Sequence, residues 1–219
     1  MIQKNTSTPC FVPEKARWDN LKTLHHDIGA ELNKATEGIA EENPVIDRVL
    51  TTIGFNIKDT ISHFSKYRLR NDDFENPDLS GSAYEYLIKM FADSAGKKGG
   101  EFYTPNEVVR LLVALIKPAS GMKVYDPTVG SGGMLIQSRN YLMERGQDLS
   151  DIALYGQENN RSTWAICKLN MFLHGVMNAR IEHGDTLGDP QHIEDSELMV
   201  FDRVIANPPF SLKKWGKEL

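Results

Sequence analysis

Apolar residues recur at helical spacing through the first part of the chain. Trp18, Leu21, Leu24-His25, Ile28 and Leu32 keep an i, i+3/i+4 rhythm, and helices are predicted from Lys15 to about Asp93. Asn43-Pro44 reads as a stop and restart, with Pro44 suited to a first helical turn. Val45, Ile46, Val49, Leu50 and Ile53 resume the apolar face, which Gly54 ends. Residues 71–77 form a polar, acidic loop. Beyond it Tyr84, Leu87, Ile88 and Phe91 make a helical stripe. All of these apolar positions are assigned to core packing.

After Lys97-Lys98-Gly99-Gly100, a short flexible joint, the pattern changes. Asn106–Ile116 is an amphipathic helix between Pro105 and Pro118. Four short apolar runs, 122–125, 152–157, 179–183 and 199–206, alternate with helical patterns at Gly133–Met143 and 162–174. Such alternation implies parallel βαβ units. The predicted class is therefore α/β: a helical domain over residues 1–95, then a doubly wound, Rossmann-like sheet over 96–219 with four strands in view. Ligands in these sheets bind beyond the carboxyl ends of the strands.

Composition narrows the setting. The 219 residues carry a formal charge of −5, so a nucleic-acid contact would need a local basic patch or a partner subunit. No run of about 18 apolar residues suggests a membrane span, and the polar start is not a signal peptide. Cys10 and Cys167 match no zinc spacing, and Cys167 falls in a helical apolar pattern that suits a reduced core thiol. His25, His26 and His63 have no acidic or cysteine partners at metal-ligand spacing. A cytoplasmic protein without a metal is expected.

The chemistry-bearing residues cluster at predicted strand ends. Asn207-Pro208-Pro209-Phe210 follows the fourth run. Two prolines fix φ and remove two backbone donors, leaving outward carbonyls on a stiff ledge. The Asn207 side-chain oxygen and a neighbouring carbonyl can accept both hydrogens of an exocyclic amino group, while Phe210 stacks on the ring bearing it. A Pro-Pro turn closing a buried strand is the structural alternative. The first run ends in Asp126-Pro127-Thr128-Val129-Gly130-Ser131-Gly132-Gly133 and enters a helix. These glycines allow a sharp turn and close approach to a ligand. They fit neither a P-loop nor the G-x-G-x-x-G fingerprint. Glu158, at the second strand's tip, suits the two hydroxyls of a ribose, or else a helix N-terminus. Asp185 can accept from an adenine amino group or cap the next turn.

Taken together, Gly100-Glu101-Phe102-Tyr103-Thr104-Pro105, the Asp126 to Gly133 turn, Glu158 and the Asn207 to Phe210 ledge resemble an S-adenosylmethionine-dependent adenine-N6 DNA methyltransferase. The run from Lys97 to Pro105 is similar, more narrowly, to the modification subunit of type I restriction–modification systems. The resemblance covers essentially the whole chain, including His63-Phe64-Ser65-Lys66. It implies that Glu101, Phe102, Tyr103, Thr104, Pro105, Asn106, Ser131, Gly132, Gly133 and Glu158 line a cofactor pocket, and Asp126, Gly130 and Asp185 are assigned to cofactor binding with them. Asn207, Pro208, Pro209 and Phe210 would then hold a flipped adenine for direct methyl transfer.

The resemblance further implies DNA, a specificity subunit, a restriction subunit and a second copy of the modification subunit as partners. Family members continue past the ledge with further strands and a helical region. The chain is thus expected to be a fragment with its fourth strand exposed. Two other readings remain open from the residues: a methyltransferase acting on a protein glutamine, and a non-catalytic remnant that binds a partner or the cofactor.

Overall fold

The computed structural model describes residues 11–24, 26–46, 49, 66, 79–95 and 103–210. Cys10, His25, His63, Leu50, Ile53, Gly54, the acidic loop 71–77, the joint 97–100, Glu101 and Phe102 lie outside them. Two compact units divide the chain, Met1–Ser80 and Gly81–Leu219.

In the first unit the expected rhythm from Trp18 to Leu32 is broken. Helix α1 (Trp18–Leu21) is one turn long, and α2 (Ile28–Glu42) begins after Asp27, whose φ is 48°. Local side-chain bonds compete with helix continuation there. Asn20 Nδ2 donates to the Glu14 carbonyl at 2.5 Å, and Thr23 Oγ1 donates to the Asn20 carbonyl at 2.7 Å. The stop at Asn43 holds. Pro44 disfavours helical geometry in the residue before it, and Asn43 has φ −130°. Its amide then ties down the preceding chain: Oδ1 accepts from Phe11 N at 3.0 Å, and Nδ2 donates to the Phe11 carbonyl at 2.8 Å. Pro44–Ile46 forms a 3-10 turn.

The second unit contains nearly all of α3 (Leu79–Ala95), then α4 (Asn106–Ile116), α5 (Gly133–Met143) and α6 (Arg161–Leu173). Its sheet is formed by β1 (Lys123–Asp126), β2 (Ala153–Glu158), β3 (Arg180–His183) and β6 (Arg203–Val204), in the order β3-β2-β1-β6. Every pairing is parallel. Helix α5 packs on β1 and β2, and α6 on β2 and β3. The core joins Val109 and Val113 of α4 to Val124, Leu135, Leu154, Met171, Ile181 and Ile205.

Local signals set these elements. Lys117 closes α4 with φ 49°, donating its N–H to Val113, just before Pro118. Asn160 caps α6, its side chain accepting from Ser162 N and Thr163 N at 2.9 and 3.1 Å. Cys167 is a buried free thiol in that helix. Burial, together with the charges of Asp126 and Glu158, pushes its pKa well up.

The fourth strand is shorter than the run 199–206. Ladder bonds extend only from Asp202 N, which donates to Lys123 O at 3.0 Å, to Ile205 N, which donates to Tyr125 O at 2.9 Å. The earlier residues of the run serve another purpose. Met199 N bonds to the His192 carbonyl, and Phe201 stacks on Tyr125 with ring centroids 4.4 Å apart. A small hairpin absent from the predicted elements precedes them: β4 (Ile193–Glu194) and β5 (Glu197–Leu198), turned by Asp195 and Ser196 with φ 52° and 68°. His192 anchors it, buried among Tyr125, Tyr155 and Phe201, with Nε2–H donating to the Gly156 carbonyl at 2.9 Å. Among the described residues no helix is long and apolar enough to cross a membrane.

Candidate functional site

The carboxyl ends of all four parallel strands converge on one cavity of about 550 Å³. That volume lies within the range of roughly 300–1,000 Å³ typical of small-molecule pockets. Pro127 and Thr128 enter from β1, Glu158 from β2, Asp185 and Thr186 from the loop after β3, and Pro208, Pro209 and Phe210 from the segment after β6.

Beneath this cavity lies the turn after β1. Asp126 is only 2% exposed and accepts from Thr128 N at 3.0 Å. Burial raises its pKa from 3.8 to about 7, opposed by that hydrogen bond and reinforced by the Glu158 charge. Gly130 and Gly132 have φ of 54° and 86°, in the left-handed region that glycine favours. A Cβ on Gly132 would stand 2.8 Å from Met171 Cε and 2.9 Å from Cys167 Sγ. Packing against the core side of α6 therefore already requires a small residue at Gly132. A Cβ on Gly133 would meet nothing within 4 Å. The buried Asn170 of α6 fastens the same turn by donating to the Ser131 carbonyl at 3.0 Å.

Glu158 links the first two strand ends. Oε2 accepts from Gly130 N at 3.1 Å, and Oε1 accepts from Asn160 N at 2.8 Å. Burial raises its pKa, while bonds from Asn160, Gly130 and Asn159 and the charge of His183 lower it. A carboxylate has about four lone-pair sites, so each oxygen still has acceptor capacity toward a ligand hydroxyl. Asp185 takes the turn-capping role, Oδ1 accepting from Leu187 N and Gly188 N at 3.0 and 3.3 Å. Gln157, 0% exposed, holds the loop above the cavity: Nε2 donates to Asp189 O at 2.9 Å and Oε1 accepts from Gln191 N at 3.0 Å.

The ledge follows β6. Phe210 stands out from the wall, 87% exposed. Asn207 is half-buried, is not among the residues lining the cavity, and donates Nδ2 to Thr104 Oγ1 at 3.1 Å. Asp126 and Gly130 to Gly133 support the wall without lining it. Tyr103 to Asn106 lead into α4, and burial, aided by Glu85, Glu107 and Asp93, raises the Tyr103 pKa.

Sequence reasoning passed over three residues here. Thr128 Oγ1 is buried in the wall with no hydrogen-bond partner among the described residues. Thr186 Oγ1 donates to the Pro127 carbonyl at 2.5 Å, binding the third loop to the first turn. Gln157 looks like an ordinary strand residue, and its role depends on a loop more than 30 residues away. For Thr128 and Thr186, adjacency to Asp126 and Asp185 was the usable signal. Among the described residues no group of three or more His, Cys, Asp or Glu could hold a metal ion.

Comparison with known proteins agrees with this architecture. The family model described as N-6 DNA Methylase matches residues 75–219. The methylase subunit of the type I restriction enzyme HindI from Haemophilus influenzae is 30% identical, over 94% of this chain and 52% of that relative. The MpnII methylase subunit from Mycoplasma pneumoniae is 31% identical, over 94% of this chain and 42% of its own. The chain thus spans about half or less of the length of these curated relatives. A type I restriction-modification system methyltransferase subunit from Streptococcus thermophilus shares the fold, with a TM-score of 0.69 at 23% identity, covering 90% of this chain and 45% of that one. With its sheet order, strand-end cavity and terminal ledge, the chain belongs to the N-6 DNA methylase family.

Proposed function

We propose that this chain contributes to methylation of the adenine N6 position in DNA, with S-adenosylmethionine as methyl donor. The observation that carries the reading is the placement of Pro208, Pro209 and Phe210 on the rim of a cavity whose other walls are the ends of β1, β2 and β3. One side of the cavity has nucleoside-binding chemistry and the other has a stiff, acceptor-rich ledge with a free aromatic face.

The residues fit the proposed donor. Glu158 offers acceptor capacity to ribose hydroxyls, and the Thr128 hydroxyl, without a hydrogen-bond partner among the described residues, sits buried in the same wall. S-adenosylmethionine supplies an electrophilic methyl group when bound; the chain's residues do the rest. Asn207 Oδ1 and the Pro208 carbonyl accept from the amino hydrogens of the base, raising electron density on its nitrogen. Phe210 stacks on the flipped ring, a contact worth about 1–3 kcal/mol per base in comparable sites. Alignment of the two reactants is then the main source of rate.

The relatives are methylase subunits of type I restriction enzymes. We extend that setting to this chain as a modification subunit, with residues 1–95 as a helical domain and 96–219 as catalytic. It would act in the cytoplasm beside a second copy, a specificity subunit that selects the DNA site and a restriction subunit. The test is transfer of a labelled methyl group from S-adenosylmethionine to unmethylated DNA, with N6-methyladenine identified after digestion. Asn207→Ala should lower transfer at least about a hundredfold with cofactor affinity nearly unchanged. Unimpaired transfer by that variant would overturn the assignment.

A further inference from the structure

One hydrogen bond joins segments 103 positions apart in sequence: Asn207 Nδ2 donates to Thr104 Oγ1 at 3.1 Å. Both ends are well supported. Thr104 precedes Pro105, whose carbonyl accepts from Val108 N and Val109 N at the start of α4, and Val109 and Val113 fix that helix in the core. On the other side Ile205, two residues before Asn207, is buried and bonded to Tyr125 of β1.

The chemistry gives this bond a consequence. A primary amide has a donor end and an acceptor end, and its terminal torsion is broad and nearly two-fold. An amino group in the base site needs the acceptor end. In the reverse orientation NH2 would face NH2, and the nitrogen that must attack would lose its support. The Thr104 hydroxyl accepts from Nδ2, which ties the amide down by its nitrogen and leaves Oδ1 as the atom available to the base.

We infer that Thr104 is a positioning residue for Asn207, anchoring its side-chain amide at the ledge; this rests on the function proposed above. The resemblance to known methyltransferases assigns Thr104 to the cofactor pocket. The hydrogen bond gives it a second role on the base side and couples the segment before α4 to the ledge after β6.

The test compares Thr104→Val, which removes the hydroxyl, with Thr104→Ser, which keeps it, in the complete assembly that methylates DNA. At saturating cofactor and DNA, the Val variant should lose about ten- to a hundredfold in kcat, the scale of a misplaced reacting group. The loss is read at saturating S-adenosylmethionine, so that any change in cofactor affinity does not enter it, and the Ser variant should recover kcat to within about threefold, since it restores the bond. Unchanged kcat in the Val variant overturns the inference. So does a loss confined to cofactor Kd or KM, or a Ser variant as impaired as Val. Absence of transfer by the unsubstituted protein would overturn the function reading and this inference with it. Robust transfer with an indifferent Thr104→Val would overturn this inference alone.

Discussion

Replacing Gly132 by Ala tests what the glycine-rich turn is for. Gly132 sits at φ 86°, ψ 5°, where an L side chain costs roughly 1–2 kcal/mol. The new Cβ would lie 2.8 Å from Met171 Cε and 2.9 Å from Cys167 Sγ. Met171 Cε is the end of a flexible chain and can swing aside. Cys167 cannot: its sulfur is one bond from a fully buried helical Cβ. Overpacking of this kind costs about 1–3 kcal/mol. The two effects sum to about 2–5 kcal/mol, a large share of the roughly 5–15 kcal/mol that holds a domain folded. Urea unfolding of the isolated variant should show a lower midpoint at unchanged slope. Cys167→Ala in the same chain should return part of the loss, because it removes the short sulfur contact and leaves the φ penalty. A loss below about 1 kcal/mol, or no relief from Cys167→Ala, would refute the packing argument. The turn would then be small for a ligand, as the sequence alone suggests.

Two further substitutions address the carboxylates at the ends of β1 and β2. Asp126 has a folded pKa of about 7 against 3.8 ordinarily, so the folded chain holds more protons than the unfolded one between about pH 4 and 7. Stability therefore falls as pH rises through that window and levels above it, by an amount on the order of 4 kcal/mol. Asp126→Asn keeps an acceptor for Thr128 N and should flatten most of this slope in urea midpoints taken from about pH 4.5 to 8; equal slopes in both proteins would exclude Asp126 as the source. Glu158→Ala strips acceptors from Gly130 N and Asn160 N as well as from the ligand side. Calorimetry should show S-adenosylmethionine affinity reduced about tenfold or more, the scale of a lost charge-assisted bond; a Kd within about twofold of the original would place the ribose elsewhere.

What was legible in the sequence were the features carried by nearby residues. Helices α4 and α5 have the predicted limits because prolines and an apolar period mark α4, and glycines flank α5. The parallel pairing of the strands followed from their alternation with helices. The break after Leu21 was hidden, because an Asp at positive φ leaves no mark in the apolar rhythm. So was the hairpin at 193–198, whose turn uses Asp195-Ser196 in place of the Asn-Gly or Asp-Gly pair that signals such a turn. The last apolar run misled for a different reason. Its residues answer to two structures, the ladder on β1 and the aromatic group around His192, and hydrophobicity alone does not divide them.

The candidate site shows the same division at the scale of function. Its residue types were visible one strand end at a time, but their division of labour depends on contacts between those ends. Gly132 faces α6, Glu158 is bonded across to Gly130, Gln157 holds a loop that comes after β3, and Asn207 turns its nitrogen toward Thr104. None of these pairings leaves a local pattern, because each is made by the parallel sheet bringing separate turns together. A substitution at one strand end should therefore be felt at another. Glu158→Ala loosens the Gly130 turn, and Thr104→Val frees an amide after β6. The sheet edge makes this dependence sharper at the ledge than elsewhere. Among the described residues β6 pairs with β1 alone, and Val204 is 56% exposed. On the inference drawn above, Asn207 depends for its position on the bond it donates to Thr104 more than on packing around β6.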